Sequence, residues 1–242
     1  MSTIAQNLQA VTENIVAAAR EAGRAPDGVQ LLAVSKTFGA DAVLQAAQAG
    51  QRAFGENYVQ EGVDKVAAVA QALPGLGLAD AALEWHFIGP VQSNKTRPIA
   101  SHFDWVHTVE REKTAQRLSE QRSPERGPLN ICLQVNISGE ASKSGVAPQE
   151  VAALARQVVG LPHLRLRGLM AIPEPEDDFA RQRAAFAALR RLFDSLRADG
   201  LELDTLSMGM SADMRAAIVE GATIVRVGSA IFGARHYNKE EQ

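Results

Sequence analysis

Lys36 carries an amine that can condense with an aldehyde, and it stands where that chemistry is favoured. It closes the segment VQLLAVSK, which begins at Val29, so its stem follows an apolar run and its amine arrives at the run's end. Partial desolvation there disfavours the ammonium form and leaves more neutral amine to attack a carbonyl carbon. A lysine that simply snorkels to water is the competing reading, and position alone does not choose between them. Two later segments shift the balance. SMGMS runs from Ser207 to Ser211 and VGSAIFG from Val227 to Gly233. Each joins glycine, which lets backbone approach a ligand closely, to serine hydroxyls that donate to phosphate oxygens. A helix is expected from Ala212, and its free N–H groups would add to an anion site. Ser207, Ser211, Gly228 and Ser229 are the candidate anion cradle.

Arg226 lies two residues before Gly228 inside an apolar run. A guanidinium stays protonated under ordinary conditions and needs a partner in such surroundings. The partner is either a carboxylate of the protein or the ring nitrogen of a bound ligand. Donation of that kind would keep a pyridine nitrogen unprotonated and weaken the ring as an electron sink. GENYVQE, from Gly55, sets Asn57 and Tyr58 after another apolar run; Asn57 either reaches a ligand or bonds loop backbone. In EWHFIGPVQSNK, from Glu84 to Lys95, His86 reads as a satisfied interior histidine, while Gln92, Asn94 and Lys95 line a mouth or cap the next helix. The loop SGEASKSG, from Ser138 to Gly145, reads as an ordinary mobile loop before it reads as a lid. Five scattered histidines and the lone Cys132 show no metal-ligand spacing. Cys132, within ICLQV, is expected to be a buried strand residue rather than a nucleophile. The glycine-rich nucleotide motifs and the nucleophile elbow are absent from the sequence.

The elements that must position these groups alternate along the chain. Strand-like runs begin at Val29, Ala53, Glu84, Trp105, Leu129, Leu164, Thr205 and Thr223. They are short, apolar and rich in β-branched residues, as parallel strands buried on both faces should be. Helical stretches lie between them: Asp41 to Ala49, one opened by Pro148, one from about Asp178 to Gly200, and Ala212 to Glu220. A further helix comes first, with Thr3 and Gln6 as its capping box. The stretch from Leu73 to Leu83 and the tail after Gly233 are expected to be loops. Eight such units predict an α/β fold, a single (β/α)8 TIM barrel with an extra N-terminal helix, covering residues 1–242 as one domain. A doubly wound open sheet is the runner-up. The barrel demands that functional groups sit at the C-terminal ends of the strands.

Composition is that of an ordinary globular chain, with 46% apolar and 22% charged residues. A net charge of −3 gives no reason to expect nucleic acid or an acidic membrane as partner. No apolar run approaches the roughly 20 residues needed to span a bilayer. With no signal peptide legible and one cysteine, a cytoplasmic protein is expected. No assembly face is readable, so a monomer is expected.

The segments AVSK, FGENYVQE, WHFIGPVQSNK, VNISGEASKSG, RGLM, LSMGMSADM and RVGSAIFG, in this order and spacing, resemble the pyridoxal phosphate homeostasis proteins (YggS/PROSC type). These are single-domain relatives of the alanine racemase barrel. They run from Ala33 to Gly233, nearly the whole chain, and Val91 stands where leucine is common in the family. The resemblance implies pyridoxal 5′-phosphate (PLP) as cofactor, held by Lys36 as a Schiff base. It implies that Arg226 faces the pyridine nitrogen and that Ser207 or Ser211, with Gly228 and Ser229, holds the phosphate. Asn57 and Met170 would lie beside the ring. It further implies a role in vitamin B6 homeostasis, with PLP-dependent apoenzymes as recipients.

Whether such a protein turns over a substrate is a separate question. A racemase needs a second acid–base group facing the lysine across the cofactor. Alanine racemases draw a tyrosine from an additional domain, for which the nine residues after Gly233 leave no room. Tyr58 and Tyr237 are the tyrosines of this sequence. A cofactor face open to water favours loading and handing over PLP above carbanion chemistry. A non-catalytic carrier is therefore expected, with an amino-acid racemase as the first alternative and a Schiff-base aldolase acting on a sugar phosphate as the second.

Overall fold

Short runs of β-branched and apolar residues, buried on both faces, pair well in parallel once helices cover their outer side. In the computed structural model, which describes residues 2–139 and 144–234, eight such runs close into a parallel barrel in sequence order. The strands are β1 (Gln30–Val34), β2 (Ala53–Glu56), β3 (Glu84–Phe87), β4 (Trp105–Val109), β5 (Leu129–Gln134), β6 (Leu164–Met170), β7 (Thr205–Ser207) and β8 (Ile224–Val227). β8 pairs back onto β1, with Arg226 opposite Leu32 and Val227 opposite Ala33. The connecting helices are α2 (Ala40–Gln48), α3 (Val59–Ala72), α4 (Thr96–His102), α5 (Glu112–Gln121), α6 (Val151–Val159), α7 (Phe179–Ala198) and α8 (Met214–Val219). An additional helix α1 (Thr3–Glu21) packs on α8 and on a short helix α9 (Ser229–Phe232). The closed barrel excludes the open doubly wound sheet.

Side chains alternate between two environments. Outward residues such as Ala33, Phe54, Phe87, Leu169 and Val225 join the helices in the main core. Inward residues form smaller groups, Leu32 with Ala53 and Ile224, and Trp105 with Cys132 and Met170. Cys132 is wholly buried and its thiol is pushed up to about 12 by burial, which leaves no thiolate for chemistry at neutral pH.

Several boundaries differ from the sequence expectation. The first helix is capped by Ser2, whose hydroxyl accepts from the Ala5 N–H, so the cap lies one residue before Thr3. Within the supposed loop from Leu73, a 3-10 turn spans Leu73–Leu76 and ends at Gly77 with φ +70°. Pro148 opens a 3-10 turn that precedes α6 rather than the helix itself. α8 starts at Met214, because the Asp213 carboxylate accepts the Met210 N–H and shapes a turn over the preceding residues. The eighth strand stops at Val227; Gly228, at φ −117° and ψ −78°, turns the chain into α9. Residues 140–143 of the Ser138–Gly145 loop lie outside the described residues, as do Tyr237 and most of the tail after Gly233. Among the described residues no helix is long and apolar enough to cross a membrane, and no cluster of potential metal ligands occurs.

Candidate functional site

All eight strands run the same way, so the residues that follow them gather at one end of the barrel. Lys36 comes two residues after β1, Asn57 directly after β2, Met170 ends β6, Ser211 follows β7, and Gly228 and Ser229 follow β8. β1 and β8 are hydrogen-bonded neighbours, which puts the lysine beside the turn that opens α9. The approach is close: a Cβ on Gly228 would sit 3.2 Å from the Val34 carbonyl oxygen. Two further contacts tie this corner together. The Phe38 ring packs on Phe232 at a centroid separation of 5.2 Å, and the Asn7 side chain donates to the Ile231 carbonyl at 2.9 Å.

Lys36 is half-buried, while Ser211 and Ser229 are exposed at the rim. The first turn of α9 leaves N–H groups without intrahelical acceptors at the same spot. Asn57 is half-buried and its Oδ1, although shielded from water, has no hydrogen-bond partner among the described residues. A buried acceptor left unsatisfied costs about 1–3 kcal/mol, so such an atom marks a place where a ligand or water belongs. Tyr58 is 55% exposed on the same rim. Gln92, Asn94 and Lys95 are also exposed; the turn they make, with the Lys95 N–H donating to the Gln92 carbonyl, leads into α4.

Ser207 is placed differently from the other serines. It is fully buried, and its hydroxyl oxygen lies 2.7 Å from an Arg226 N–H donor and 2.8 Å from His107 Nδ1. Arg226 also donates to the Ala171 carbonyl at 3.0 Å, and among the described residues it has no carboxylate ion-pair partner. The carboxylate pairing considered from sequence is therefore replaced by a hydroxyl and a backbone carbonyl. Burial lowers the guanidinium to about 10, and it remains cationic at neutral pH.

From Ser207 a chain of hydrogen bonds runs down the barrel axis. His107 Nε2 lies 2.8 Å from His86 Nδ1, and His86 Nε2 lies 3.4 Å from a Glu84 oxygen at the N-terminal end. Trp105 Nε1 and the Gln30 side chain donate to the same carboxylate. Because an ionised carboxylate only accepts and a neutral imidazole carries a single N–H, the direction is set from the Glu84 end. Ser207 accepts from Arg226 and donates to His107 Nδ1; His107 donates through Nε2 to His86, and His86 donates through Nε2 to Glu84. Both imidazoles are neutral in this scheme. Burial depresses His86, and burial above all, reinforced by the nearby Arg226 cation, holds His107 well below the ordinary histidine value. The His86 hydrogen bond is the main cause that brings Glu84 down to about 2. His86 is thus the satisfied interior histidine expected from sequence, whereas His107 and Glu84 were not singled out there. Their only signal was polar residues at inward positions of two short strands.

The chain makes stability depend on pH. A histidine kept neutral in the fold but free to protonate near 6.5 when unfolded contributes fully above that pH. Its contribution is lost as the pH falls, by up to about 1.4 kcal/mol per unit for each histidine. Glu84 opens a second window from 4.5 down to about 2, reduced by its partial exposure. Urea titrations across pH 8 to 4 should show stability declining from about pH 6.5; a flat profile between 7 and 5 would contradict the neutral pair.

The residues at this end fit a flat, phosphorylated aldehyde with a ring nitrogen. An amine and an anion-accepting turn sit on adjacent strands, an unsatisfied Asn57 oxygen lies on the next strand, and a buried guanidinium lies below. A cavity of about 780 Å3 between α1 and α2, lined among others by Leu8, Gln9, Gln45 and Gln51, holds neither lysine nor arginine and is not this site.

Residues 6–236 match the family model described as alanine racemase, N-terminal domain. A protein of Pseudomonas aeruginosa named pyridoxal phosphate homeostasis protein is 62% identical over 98% of each chain. One of the same name from Vibrio cholerae is 57% identical over 99% of each. The structure of PipY of Synechococcus elongatus with PLP bound is 37% identical, covering 95% of this chain and 100% of that one, with a TM-score of 0.79. With this coverage and identity, the chain belongs to the alanine racemase N-terminal-domain family, within its pyridoxal phosphate homeostasis group.

Proposed function

We propose that the protein binds PLP and acts in intracellular vitamin B6 homeostasis, holding the cofactor as a Schiff base on Lys36 without catalytic turnover. The observation that carries this reading is the placement of Lys36 beside the Gly228–Ser229 turn, on strands hydrogen-bonded to each other at the open end of the barrel. The PLP-bound PipY structure and the names of the close relatives support it. When bound, the cofactor supplies an aldehyde electrophile and a conjugated ring. The protein's own residues do the rest. Ser211, Ser229 and the N–H groups after Gly228 hold the phosphate, while Ser207 serves the site indirectly by fixing Arg226. Arg226 donates to the pyridine nitrogen and keeps it unprotonated, which weakens the ring as an electron sink. Asn57 and Met170 flank the ring.

The same features argue for carriage above racemisation. Tyr58 is more than half exposed rather than closed over the lysine, and proton abstraction next to a carbonyl is favoured in a water-excluded site. PLP-dependent apoenzymes are the recipients in this reading, and the chain acts as a monomer. The test has two arms. Borohydride reduction of the holoprotein should bleach its absorbance band and add mass to the peptide carrying Lys36. Incubation with single-enantiomer amino acids should produce no opposite enantiomer at enzyme-like rates. Rapid appearance of that enantiomer would replace the carrier with a racemase.

A further inference from the structure

Behind Lys36, outside the barrel wall, lies a second polar cluster. Ser35 and Glu56 point away from the barrel interior towards α3, and the Ser35 hydroxyl donates to Glu56 Oε1 at 2.6 Å. Lys65 of α3 is 5% exposed and its ammonium donates to three oxygens. They are Glu56 Oε1 at 2.7 Å, Glu61 Oε1 at 2.9 Å and the backbone carbonyl of Ser35 at 2.8 Å. Glu61 Oε1 also accepts the backbone N–H of Thr37 at 2.6 Å. The cluster therefore grips the carbonyl of the residue before Lys36 and the N–H of the residue after it.

Thr37 shows what the grip holds. Its φ is +67°, a left-handed conformation that a β-branched residue rarely adopts. Such a residue persists where its surroundings over-determine it, and these cluster at ligand sites. Stability gives little reason for the ions: a buried pair of this kind is often no better than apolar side chains of the same volume. What it provides that apolar packing does not is directional contact to two backbone groups. Side chains alternate along the extended chain, so with Ser35 directed outward, Lys36 is directed inward to the mouth.

We infer that Glu61 and Lys65 are positioning residues for Lys36: through Ser35 and Thr37 they lock the left-handed turn that aims its amine at the anion cradle. The inference rests on the reading of Lys36 as the PLP-bearing lysine. Loss of the grip lets Thr37 relax to negative φ and swings the amine away from its partner groups. Removing residues that orient metal ligands typically costs about 10-fold to 100-fold in affinity, and a loss at the lower end of that range is expected here.

The experiment compares the wild type, Glu61→Ala and the double variant Glu61→Ala/Thr37→Gly. Glu61 is partly exposed, and alanine suits the helix it occupies. Each holoprotein is diluted, and free PLP is followed by ultrafiltration while borohydride-trapped Lys36 is measured by mass. Exchange of the Thr37 amide is read on the PLP-free proteins. Glu61→Ala should release PLP about 10-fold faster and lose protection at the Thr37 amide. Glycine, which adopts positive φ freely, should restore release to within about 3-fold of the wild type in the double variant. Unchanged release in Glu61→Ala, or no recovery with Thr37→Gly, overturns the inference. A wild type with no PLP on Lys36 overturns the underlying function instead, and the two failures are told apart by that first sample.

Discussion

Lys36→Ala is expected to abolish the borohydride-reducible adduct entirely while leaving the unloaded fold intact. The side chain is half-buried at the rim and lies outside the main core, so its removal should lower unfolding free energy by only about 1 kcal/mol. The contrast appears when cofactor is added. A ligand present at 100 times its dissociation constant stabilises the native state by about 2.7 kcal/mol. The wild type should therefore melt higher with PLP than without it, and the variant should show only the weaker shift of non-covalent phosphate binding. Absorbance, mass mapping and paired melts with and without PLP measure this directly. An adduct that persists in the variant would move the attachment to another lysine.

His107→Ala should have the opposite profile, with a large loss of stability. Its imidazole is wholly buried and joins the Ser207 hydroxyl to His86. Deleting it leaves Ser207 without an acceptor and His86 without a donor, each costing about 1–3 kcal/mol, and opens a void among Trp105, His86 and Ser207. A total of about 3–5 kcal/mol is expected, visible as a lower urea midpoint with an unchanged slope. The damage should extend to the cofactor. Ser207 anchors Arg226, so PLP retained by the variant should show a shifted absorbance band as the guanidinium loses its fixed direction. A loss below 1 kcal/mol would mean that the chain is bridged by water and is not the directed relay described above.

The contrast between these residues reflects how they were legible. The location of Lys36, Gly228 and Ser229 at one end of the barrel could be read from sequence because each follows a recognisable strand, and a parallel barrel sends every strand end to one face. The lengths and apolar character of the runs favoured that architecture over a doubly wound open sheet, and the closed ladder of eight strands excluded the latter. Where the reading slipped, a local contact had decided. Ser2 took the cap in place of Thr3, Asp213 delayed α8, and Gly228 turned a supposed strand into α9. Lys65 left a fainter trace. It falls with Gly62 and Val69 on the buried stripe of α3, where a lysine is out of place.

Sequence by itself predicted eight alternating units and the strand ends, Lys36 among them, that such a fold gathers on one face, because periodicity and strand termini are properties of contiguous residues. Only the tertiary structure separated Ser207 from Ser211 and joined Arg226 to Glu84 through two histidines. It alone brought Lys65 and Glu61 around the backbone at Lys36. The contacts that join different strands and helices in these networks span up to 100 positions of sequence, and such pairings exist only once the barrel has closed.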